Sequence, residues 1–289
     1  CSFQLLLNSK IIGIVILVVA IGGSSAYFLT KNDSIDTISS QNDQISQSEQ
    51  ISQNEKIGLV INTINPPTSI DDIENSYKIA STSGIGRTNL YIHWDQLEPE
   101  KGNFDWRVTD IMMKLNEKYN LKTTLYLSVI NADRLGPFPS WMGNQIIGKS
   151  LETDTARVLD AILSRYENID YVIFAADIDY HFQRGTGTIP SYVEFFNNVS
   201  SEIKSNHSDV KIGNSMSLEN ILNKGMEPGG SFELTPKLEM GDFIALSYKP
   251  TDTVGDIDRT PLEAIGDLEK TLEIFSSQKL AFFEISWST

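Results

Sequence analysis

Two carboxyl-bearing residues lie in or at the end of apolar runs that predict buried strands. Asp177 closes the run DYVIFAAD at 170–177, and Glu284 lies inside the run LAFFEISW at 280–287. A buried carboxyl group is rarely tolerated without a partner or a chemical task. A pair of carboxyl groups can cleave a glycosidic bond, because one protonates the leaving oxygen while the other attacks the sugar or activates water. Asp177 and Glu284 are therefore the candidate catalytic pair.

Each of these carboxyl groups also has a purely structural explanation. Glu284 could belong to a buried ion pair, and Asp177 or Asp179 could cap the helix that follows the strand. Asp177 and Asp179 alternate with Ile178, so their side chains could point to the same face. The sequence by itself leaves these alternatives open.

Polar and aromatic side chains also stand at the ends of other predicted strands, and aromatic faces suit the apolar C–H faces of sugar rings. The candidate substrate-binding residues are His93, Trp94, Asp179, Asn214, Tyr248 and Trp287. His93 could instead be a packed histidine at the mouth of a barrel. Trp287 could equally belong to a plain hydrophobic core.

The elements that must position these groups alternate between strand and helix patterns. Apolar strand-like runs cover residues 58–64, 87–94, 122–130, 170–177, 210–216, 242–248 and 280–287. Between them, apolar residues at helical spacing predict helices at 69–84, 104–120, 151–166, 190–206, 218–224 and 260–278. Near-continuous apolar strands are typical of a parallel sheet with both faces buried. Their alternation with helices predicts right-handed crossovers.

Two parallel architectures fit this alternation. An open doubly-wound sheet usually has a Gly-rich first turn, whereas the first turn here is Asn65-Pro66-Pro67. A (β/α)8 TIM barrel needs about 250 residues, which is close to the length of 57–289. We therefore predict an α/β TIM barrel that lacks one strand and one or two helices at its C-terminal end. In such a barrel the active site gathers at the C-terminal ends of the strands.

The charge balance and the residue inventory exclude several kinds of partner. Lys and Arg number 23 and Asp and Glu number 38, so the formal net charge is -15. Nucleic-acid binding relies on Lys and Arg to replace phosphate counterions, which argues against a nucleic-acid partner. The single cysteine, Cys1, and three histidines without zinc-ligand spacing predict no metal site, and no cofactor is implied.

The N-terminal part of the chain differs in amino-acid composition from the rest. Residues 11–30 are strongly apolar, and as a helix they would span about 30 Å, the hydrocarbon thickness of a bilayer. Lys10 favours a cytoplasmic segment at 1–10 followed by a transmembrane anchor, while a cleaved signal peptide is the alternative. Residues 31–56, rich in Ser, Gln, Asn and Asp, predict a disordered polar stalk. Under either alternative residues 57–289 are expected outside the cytoplasm.

Three short segments resemble a known group of enzymes. WDQLEPEKGNFDW at 94–106 resembles the segment after the second strand in retaining β-glycosidases of the (β/α)8 clan of cellulases, xylanases, β-galactosidases and endo-galactanases. IDYVIFAADID at 169–179 is similar to the fourth-strand segment of that clan, and KLAFFEISW at 279–287 is similar to the seventh. The resemblance covers most of 57–289 and rests on short motifs.

The resemblance implies roles for four residues. In the clan the fourth strand typically ends Asn-Glu, with the Glu as acid/base, and the seventh ends in the nucleophilic Glu. Glu284 matches the nucleophile position, whereas Asp177 stands at the acid/base position in place of Glu. Ala176 replaces the Asn that contacts the 2-hydroxyl group of the sugar. Tyr248 falls near a family tyrosine that steadies the nucleophile.

Three functional hypotheses follow. The first is a membrane-tethered, extracytoplasmic glycoside hydrolase-like protein that acts on β-linked glycans, with a polysaccharide or oligosaccharide as its partner. The second is a catalytically impaired barrel that binds surface glycans, which Ala176 and the shorter Asp177 favour. The third is a structural cell-envelope protein without a sugar site, for which the acidic composition and the stalk are the only arguments.

Overall fold

The computed structural model describes residues 14–17, 53–61, 69–183, 189–222, 231–250, 259–277 and 279–285, the first of these ranges by its backbone alone. The strands are β1 (Ile14–Leu17), β2 (Asn54–Leu59), β3 (Ile85–Ile92), β4 (Lys122–Asn131), β5 (Arg134–Leu135), β6 (Ile169–Ala176), β7 (Lys211–Ser217), β8 (Phe243–Tyr248) and β9 (Leu280–Ile285). The α-helices are α1 (Ile70–Thr82), α2 (Trp94–Leu97), α3 (Arg107–Lys118), α4 (Lys149–Arg165), α5 (Ile178–Gln183), α6 (Ile189–Asn206), α7 (Leu218–Leu222), α8 (Thr235–Leu238) and α9 (Pro261–Ile274). Short 3-10 turns occupy Ser140–Met142 and Ser231–Leu234.

Local signals set where the helices begin. Ser69 caps α1, because its side chain accepts a hydrogen bond from the backbone N–H of Asp72. A full capping box opens α9, in which Thr260 and Glu263 satisfy each other's backbone N–H groups and Pro261 takes the first turn. Both helices therefore begin close to the positions that the sequence predicts.

The parallel strands form one curled sheet. Its order is β3-β2-β1-β9-β8-β7-β6-β4-β5, and a further pairing of β3 with β4 joins the two sides. Among the described strands, β5 alone is antiparallel and forms a small hairpin with the end of β4. Helices follow most of the other strands, so the prediction of a parallel β/α barrel is confirmed. The eight parallel strands that the structure describes pair in a ring, in which β1 takes the place of the strand that the sequence prediction lacked. All C-terminal strand ends consequently face one end of the sheet.

Alternate side chains of each strand enter two different cores. The inner core lies inside the curled sheet, where Tyr126, Ile173, Phe243 and Phe283 pack together. The outer core lies between the sheet and the helices and contains the neighbouring residues in sequence, such as Leu125 on β4. Burial on both faces explains why the strands are almost continuously apolar.

The N-terminal segment differs from its prediction. Residues 14–17 form strand β1 between β2 and β9, although the sequence predicts a membrane-spanning helix at 11–30. Ile14, Val15 and Ile16 are β-branched, which suits a strand. No helix within the described ranges is long and apolar enough to cross a membrane. The remainder of 11–30 lies outside the described residues.

The first predicted barrel strand is also displaced. β2 begins at Asn54, inside the segment 31–56 that was expected to be a stalk, and ends at Leu59 instead of covering 58–64. Residues 58 and 59 pair with β3, so the end of β2 is the part that coincides with the prediction. Residues 31–52 and 62–68 lie outside the described residues.

The segment after β3 folds around one buried acid. Glu98 is fully buried and accepts hydrogen bonds from the Trp94 indole at 2.9 Å and the Gly102 backbone at 2.6 Å. The Arg157 guanidinium on α4 lies 2.7 Å from the same carboxylate. Burial opposes ionisation, but the hydrogen bonds from Arg157, Trp94 and Gly102 hold the pKa of Glu98 below its ordinary value. The segment 94–106, which carries the family resemblance, therefore has a structural role: its turns are held together by the hydrogen bonds and the ion pair of Glu98.

Removal of residues 1–52 tests the position of β1. Because β1 pairs with β2 and β9, a chain that begins at residue 53 would leave two parallel edges unpaired. We expect its Tm to fall by roughly 5–10 °C, measured by differential scanning calorimetry. An unchanged Tm would show that β1 contributes no stability to the sheet.

Candidate active site

The candidate site lies at the C-terminal ends of β6, β8 and β9. Asp177 directly follows β6, and Glu284 lies near the end of β9. Ser247 of β8 stands beside Glu284 in the strand register. The sheet topology therefore brings the two predicted catalytic residues to one end of the barrel.

Asp177 reaches across the end of the barrel to β8. The Ser247 hydroxyl group donates a hydrogen bond of 2.6 Å to Asp177 Oδ1. Asp177 has a left-handed backbone with a φ of 48°, a conformation in which Asp and Asn are enriched among non-glycine residues. Burial raises the pKa of Asp177 and the charge of Glu284 raises it further, while Ser247 and Lys249 oppose the shift. The carboxyl group of Asp177 thus favours its protonated form more than an exposed Asp does.

Both oxygens of Glu284 have partners. The Tyr91 hydroxyl group donates to Glu284 Oε2 at 3.3 Å, and Lys249 Nζ lies 3.0 Å from Oε1. Burial raises the pKa of Tyr91, and the charges of Glu284 and Asp177 raise it further. Tyr91 therefore stays a neutral donor at physiological pH.

A cluster of three aromatic rings lies next to the two acids. Tyr91 packs edge-on against Tyr126 with ring centroids 5.5 Å apart, and Phe283 contacts both rings. The negative charge of Asp177 also raises the pKa of Tyr126 beyond the effect of burial. The hydroxyl group of Tyr91 contacts Glu284 directly, and the negative charge of Asp177 adds to the effect of Glu284 in raising the pKa of Tyr91.

A third carboxyl group, that of Glu219, lies at the same end of the barrel. Glu219, in the first turn of α7, accepts a hydrogen bond from Ser217 Oγ at 3.1 Å and another from the backbone N–H of Lys249. Burial raises the pKa of Glu219 to about 7, and the charge of Asp177 adds to this effect. Lys249 lowers the pKa but does not outweigh the two raising effects. Glu219 is consequently poised to exchange a proton near neutral pH.

Asp179 is not part of the site surface, contrary to the prediction. It is fully buried, and it accepts hydrogen bonds from Ser217 N at 2.9 Å, Asn220 Nδ2 at 2.6 Å and Ser231 Oγ at 2.7 Å. Asp179 lies within α5, whose helical turn carries it away from Asp177. Burial raises its pKa to about 6 despite these donors. Its role is to hold α5, β7 and α7 together.

Two further predicted binding residues face the outer core. Trp94 is buried and donates to Glu98. Asn214 is buried between α6 and the sheet, where it accepts from Tyr192 at 2.5 Å and donates to the backbone of Leu238 at 2.8 Å. These partners leave neither side chain available to a sugar.

Tyr248 is likewise directed away from Glu284. Its hydroxyl group donates to Asp267 on α9 at 2.9 Å. The preceding residue, Ser247, is the one that faces the site, because consecutive residues of a strand point to opposite faces. The tyrosine hydroxyl group that contacts Glu284 therefore comes from Tyr91 on β3.

His93 is exposed at the N-terminal end of α2, at the same end of the barrel, and its role as a binding residue stays a prediction. Trp287 lies outside the described residues.

Four residues of the site were not predicted: Tyr91, Ser247, Lys249 and Glu219. The alternation RTNLYIHW could have indicated Tyr91, since it lies two residues before His93. Among the described residues, no group of three or more His, Cys, Asp or Glu side chains could hold a metal ion.

Comparison with known proteins shows likeness in structure alone. No family model matches the sequence, and no curated protein matches it. The β-glucosidase 1317 superposes with a TM-score of 0.54 at 11% identity, over 75% of this chain and 68% of that chain. The AHE enzyme from Alicyclobacillus herbarius superposes with a TM-score of 0.53 at 11% identity, over 75% and 67% of the two chains.

A third solved structure is an exo-β-1,4-mannosidase from Opitutaceae bacterium strain TAV5, with a TM-score of 0.48 and 14% identity. The match covers 61% of this chain and 34% of that chain, so this chain spans about a third of the length of that enzyme. The resemblance seen in the sequence is thus confirmed at the level of architecture: the chain has the fold of the (β/α)8-barrel β-glycosidases.

Proposed function

We propose that the chain is a glycoside hydrolase that acts on β-linked glycans, with Glu284 as nucleophile and Asp177 as acid/base. The observation that supports this proposal is the position of the two carboxyl groups at one end of the barrel: Ser247, which donates a hydrogen bond to Asp177, is the register partner of Glu284 on β9. Two carboxyl groups with different surroundings are what glycoside cleavage requires.

The proposed reaction has two steps. A carboxylate oxygen of Glu284 forms a bond to the anomeric carbon while the glycosidic C–O bond breaks, and the leaving oxygen takes the proton of Asp177. Water then attacks the anomeric carbon, gives a proton back to Asp177 and releases Glu284. Tyr91 donates to Glu284 in the resting state and holds its orientation. Each oxygen of Glu284 has one partner in the resting state, Lys249 on Oε1 and Tyr91 on Oε2, so either oxygen keeps a lone pair for attack on the anomeric carbon.

Substitution Asp177→Asn tests the acid/base assignment. The amide cannot give a proton to the leaving oxygen, so we expect kcat/KM on glycosides with poor leaving groups to fall by about 10²-fold or more. Aryl glycosides with activated leaving groups need little protonation, and their kcat/KM should fall much less. The measurement is kcat/KM on both kinds of substrate, with Asp209→Asn, an exposed position, as the matched control.

An equal loss on both kinds of substrate would contradict a proton-transfer role for Asp177. Hydrolysis of neither kind by the unsubstituted protein would contradict the proposed function itself. Measuring hydrolysis by the unsubstituted protein first distinguishes these two results.

A second candidate function is glycan binding without hydrolysis. Two observations favour it: the ion pair between Lys249 and Glu284, and the absence of a side-chain amide at Ala176. An ion-paired carboxylate is a weaker nucleophile, since part of its charge is already neutralised. Calorimetric titration with β-linked oligosaccharides tests this candidate. Binding without hydrolysis would favour it over the enzyme, and loss of binding in Tyr91→Phe would place the sugar at this site.

The location outside the cytoplasm is a separate part of the proposal. It is supported by the apolar run 11–30 with Lys10 before it. A membrane helix and strand β1 exclude each other, because both would use residues 14–17. Protease added to intact cells should cut within 31–52 and release the barrel from a tethered protein. Protection of the barrel until lysis would contradict an outside location.

A further inference from the structure

Ser247 connects the two carboxyl groups of the proposed catalytic pair. It is a buried residue of β8, and its hydroxyl group donates the hydrogen bond of 2.6 Å to Asp177 Oδ1. On the neighbouring strand β9 its register partner is Glu284. Neighbouring strands lie about 4.8 Å apart. Ser247 therefore holds the carboxyl group of Asp177 on the strand next to the one that carries Glu284.

The sheet order shows that this contact does not join adjacent strands. β7 pairs with both β6 and β8, so the end of β6, which Asp177 follows, lies two strand spacings from β8. That span is about 9.6 Å along the curled sheet, whereas the carboxyl carbon of an Asp lies only about 2.5 Å from its Cα atom. The turn after β6, where the φ of Asp177 is 48°, carries the residue across the end of β7. The Ser247 hydroxyl group then holds it there.

Resting on the proposed function, we propose that Ser247 is a positioning residue, which fixes the carboxyl group of Asp177 beside Glu284 and reserves its Oδ2 atom for proton transfer. Because the Ser247 hydroxyl group occupies Oδ1, the leaving oxygen takes its proton from Oδ2 in the first step. In the second step the attacking water returns a proton to Oδ2. The hydroxyl group of Ser247 keeps its own proton throughout, so Ser247 acts through Asp177 alone.

The same hydrogen bond affects the proton affinity of Asp177. Burial raises the pKa of Asp177, and among the groups that lower it Ser247 has the largest effect, ahead of Lys249 and Ser215. A donor stabilises the carboxylate relative to the carboxylic acid, so loss of the Ser247 hydroxyl group raises the pKa further. The titratable groups that act on Asp177 in the described part of the chain are Tyr91, Tyr126, Asp179, Tyr180, Glu219, Lys249 and Glu284. All of them remain when Ser247 alone is changed.

Substitution Ser247→Ala tests the inference. We expect kcat on glycosides with poor leaving groups to fall by about 10²-fold, the effect of a misplacement of about 1 Å, with KM unchanged and a much smaller fall on activated aryl glycosides. The alkaline limb of the pH profile should move to higher pH, because Asp177 then keeps its proton to higher pH. Ser247→Thr retains the hydroxyl group and should restore kcat. Ser200→Ala on α6 is the matched control, since the Ser200 hydroxyl group is buried without a hydrogen-bond partner among the described residues.

A measurement without substrate supplies an independent readout. Carbon-13 NMR titration of the Asp177 carboxyl carbon, assigned with Asp177→Asn, gives the pKa of Asp177, which should be higher in Ser247→Ala than in the unsubstituted protein.

An unchanged kcat and an unchanged titration midpoint in Ser247→Ala would overturn the inference while the proposed function stands on Asp177 and Glu284. Equal losses on the two kinds of substrate with an unmoved alkaline limb, or a loss in Ser247→Thr as large as in Ser247→Ala, would overturn it in favour of a packing role. Absence of hydrolysis by the unsubstituted protein would overturn the proposed function and the positioning role with it.

Discussion

Substitution Glu284→Ala is expected to lower kcat/KM on β-linked aryl glycosides by at least about 10³-fold. The loss should be as large for activated as for poor leaving groups, because the first step itself needs the nucleophile. Steady-state kinetics on both kinds of substrate measure it. Glu273→Ala, on the exposed face of α9, is the matched control and should leave kcat/KM unchanged.

A small anion offers a sharper test of the same residue. Azide can occupy the space left by the side chain in Glu284→Ala and attack the anomeric carbon directly. We expect azide to restore hydrolysis of activated aryl glycosides and to yield a glycosyl azide of inverted configuration. Residual activity above one tenth of the unsubstituted value, without azide, would show that Glu284 is not the nucleophile.

Substitution Glu98→Ala is expected to lower the free energy of unfolding by about 3–5 kcal/mol. The half-buried Arg157 guanidinium would keep only Asp154 as a partner, and the Trp94 indole and the Gly102 N–H would lose their acceptor. Urea denaturation followed by tryptophan fluorescence measures the change. Glu100→Ala is the matched control, since Glu100 is an exposed residue of the same segment, and it should change the free energy by less than about 0.5 kcal/mol.

The two substitutions at Glu98 and Glu100 differ in one physical respect, the burial of the carboxylate. If Glu98→Ala lowered the free energy of unfolding no more than Glu100→Ala, the contacts of Glu98 would contribute little to the stability of the fold. The resemblance at 94–106 would then need a functional explanation instead of a structural one.

Apolar runs and their spacing predicted the strands of the sheet well, because both faces of a parallel strand are buried and the signal is continuous. β3, β4 and β6 begin and end within a few residues of the predicted runs. The same logic selected Asp177 and Glu284 as candidates, since a carboxyl group that interrupts or ends such a run is conspicuous, and their catalytic role stays a prediction. Residues 14–17 were misassigned because an apolar, β-branched run of this kind suits a helix in lipid and a strand in a sheet equally well.

The errors at the site have a different physical cause. A strand reverses the direction of its side chains at every residue, so a position chosen one residue away from the correct one faces the wrong core. Ser247 and Tyr248 show this directly, because Ser247 binds Asp177 while Tyr248 binds Asp267 on the outer side. Glu219 and Lys249 follow the strands, and their approach to Asp177 and Glu284 depends on the sheet order, which no local pattern encodes.

The left-handed backbone at Asp177 limits which side chains this position accepts. A φ of 48° is tolerated by Asp and Asn better than by most longer side chains. Glu at position 177 would place a longer side chain on a backbone that disfavours it. Engineering a longer acid at this end of the barrel therefore has to begin with the backbone of the turn after β6, and only then with the side chain.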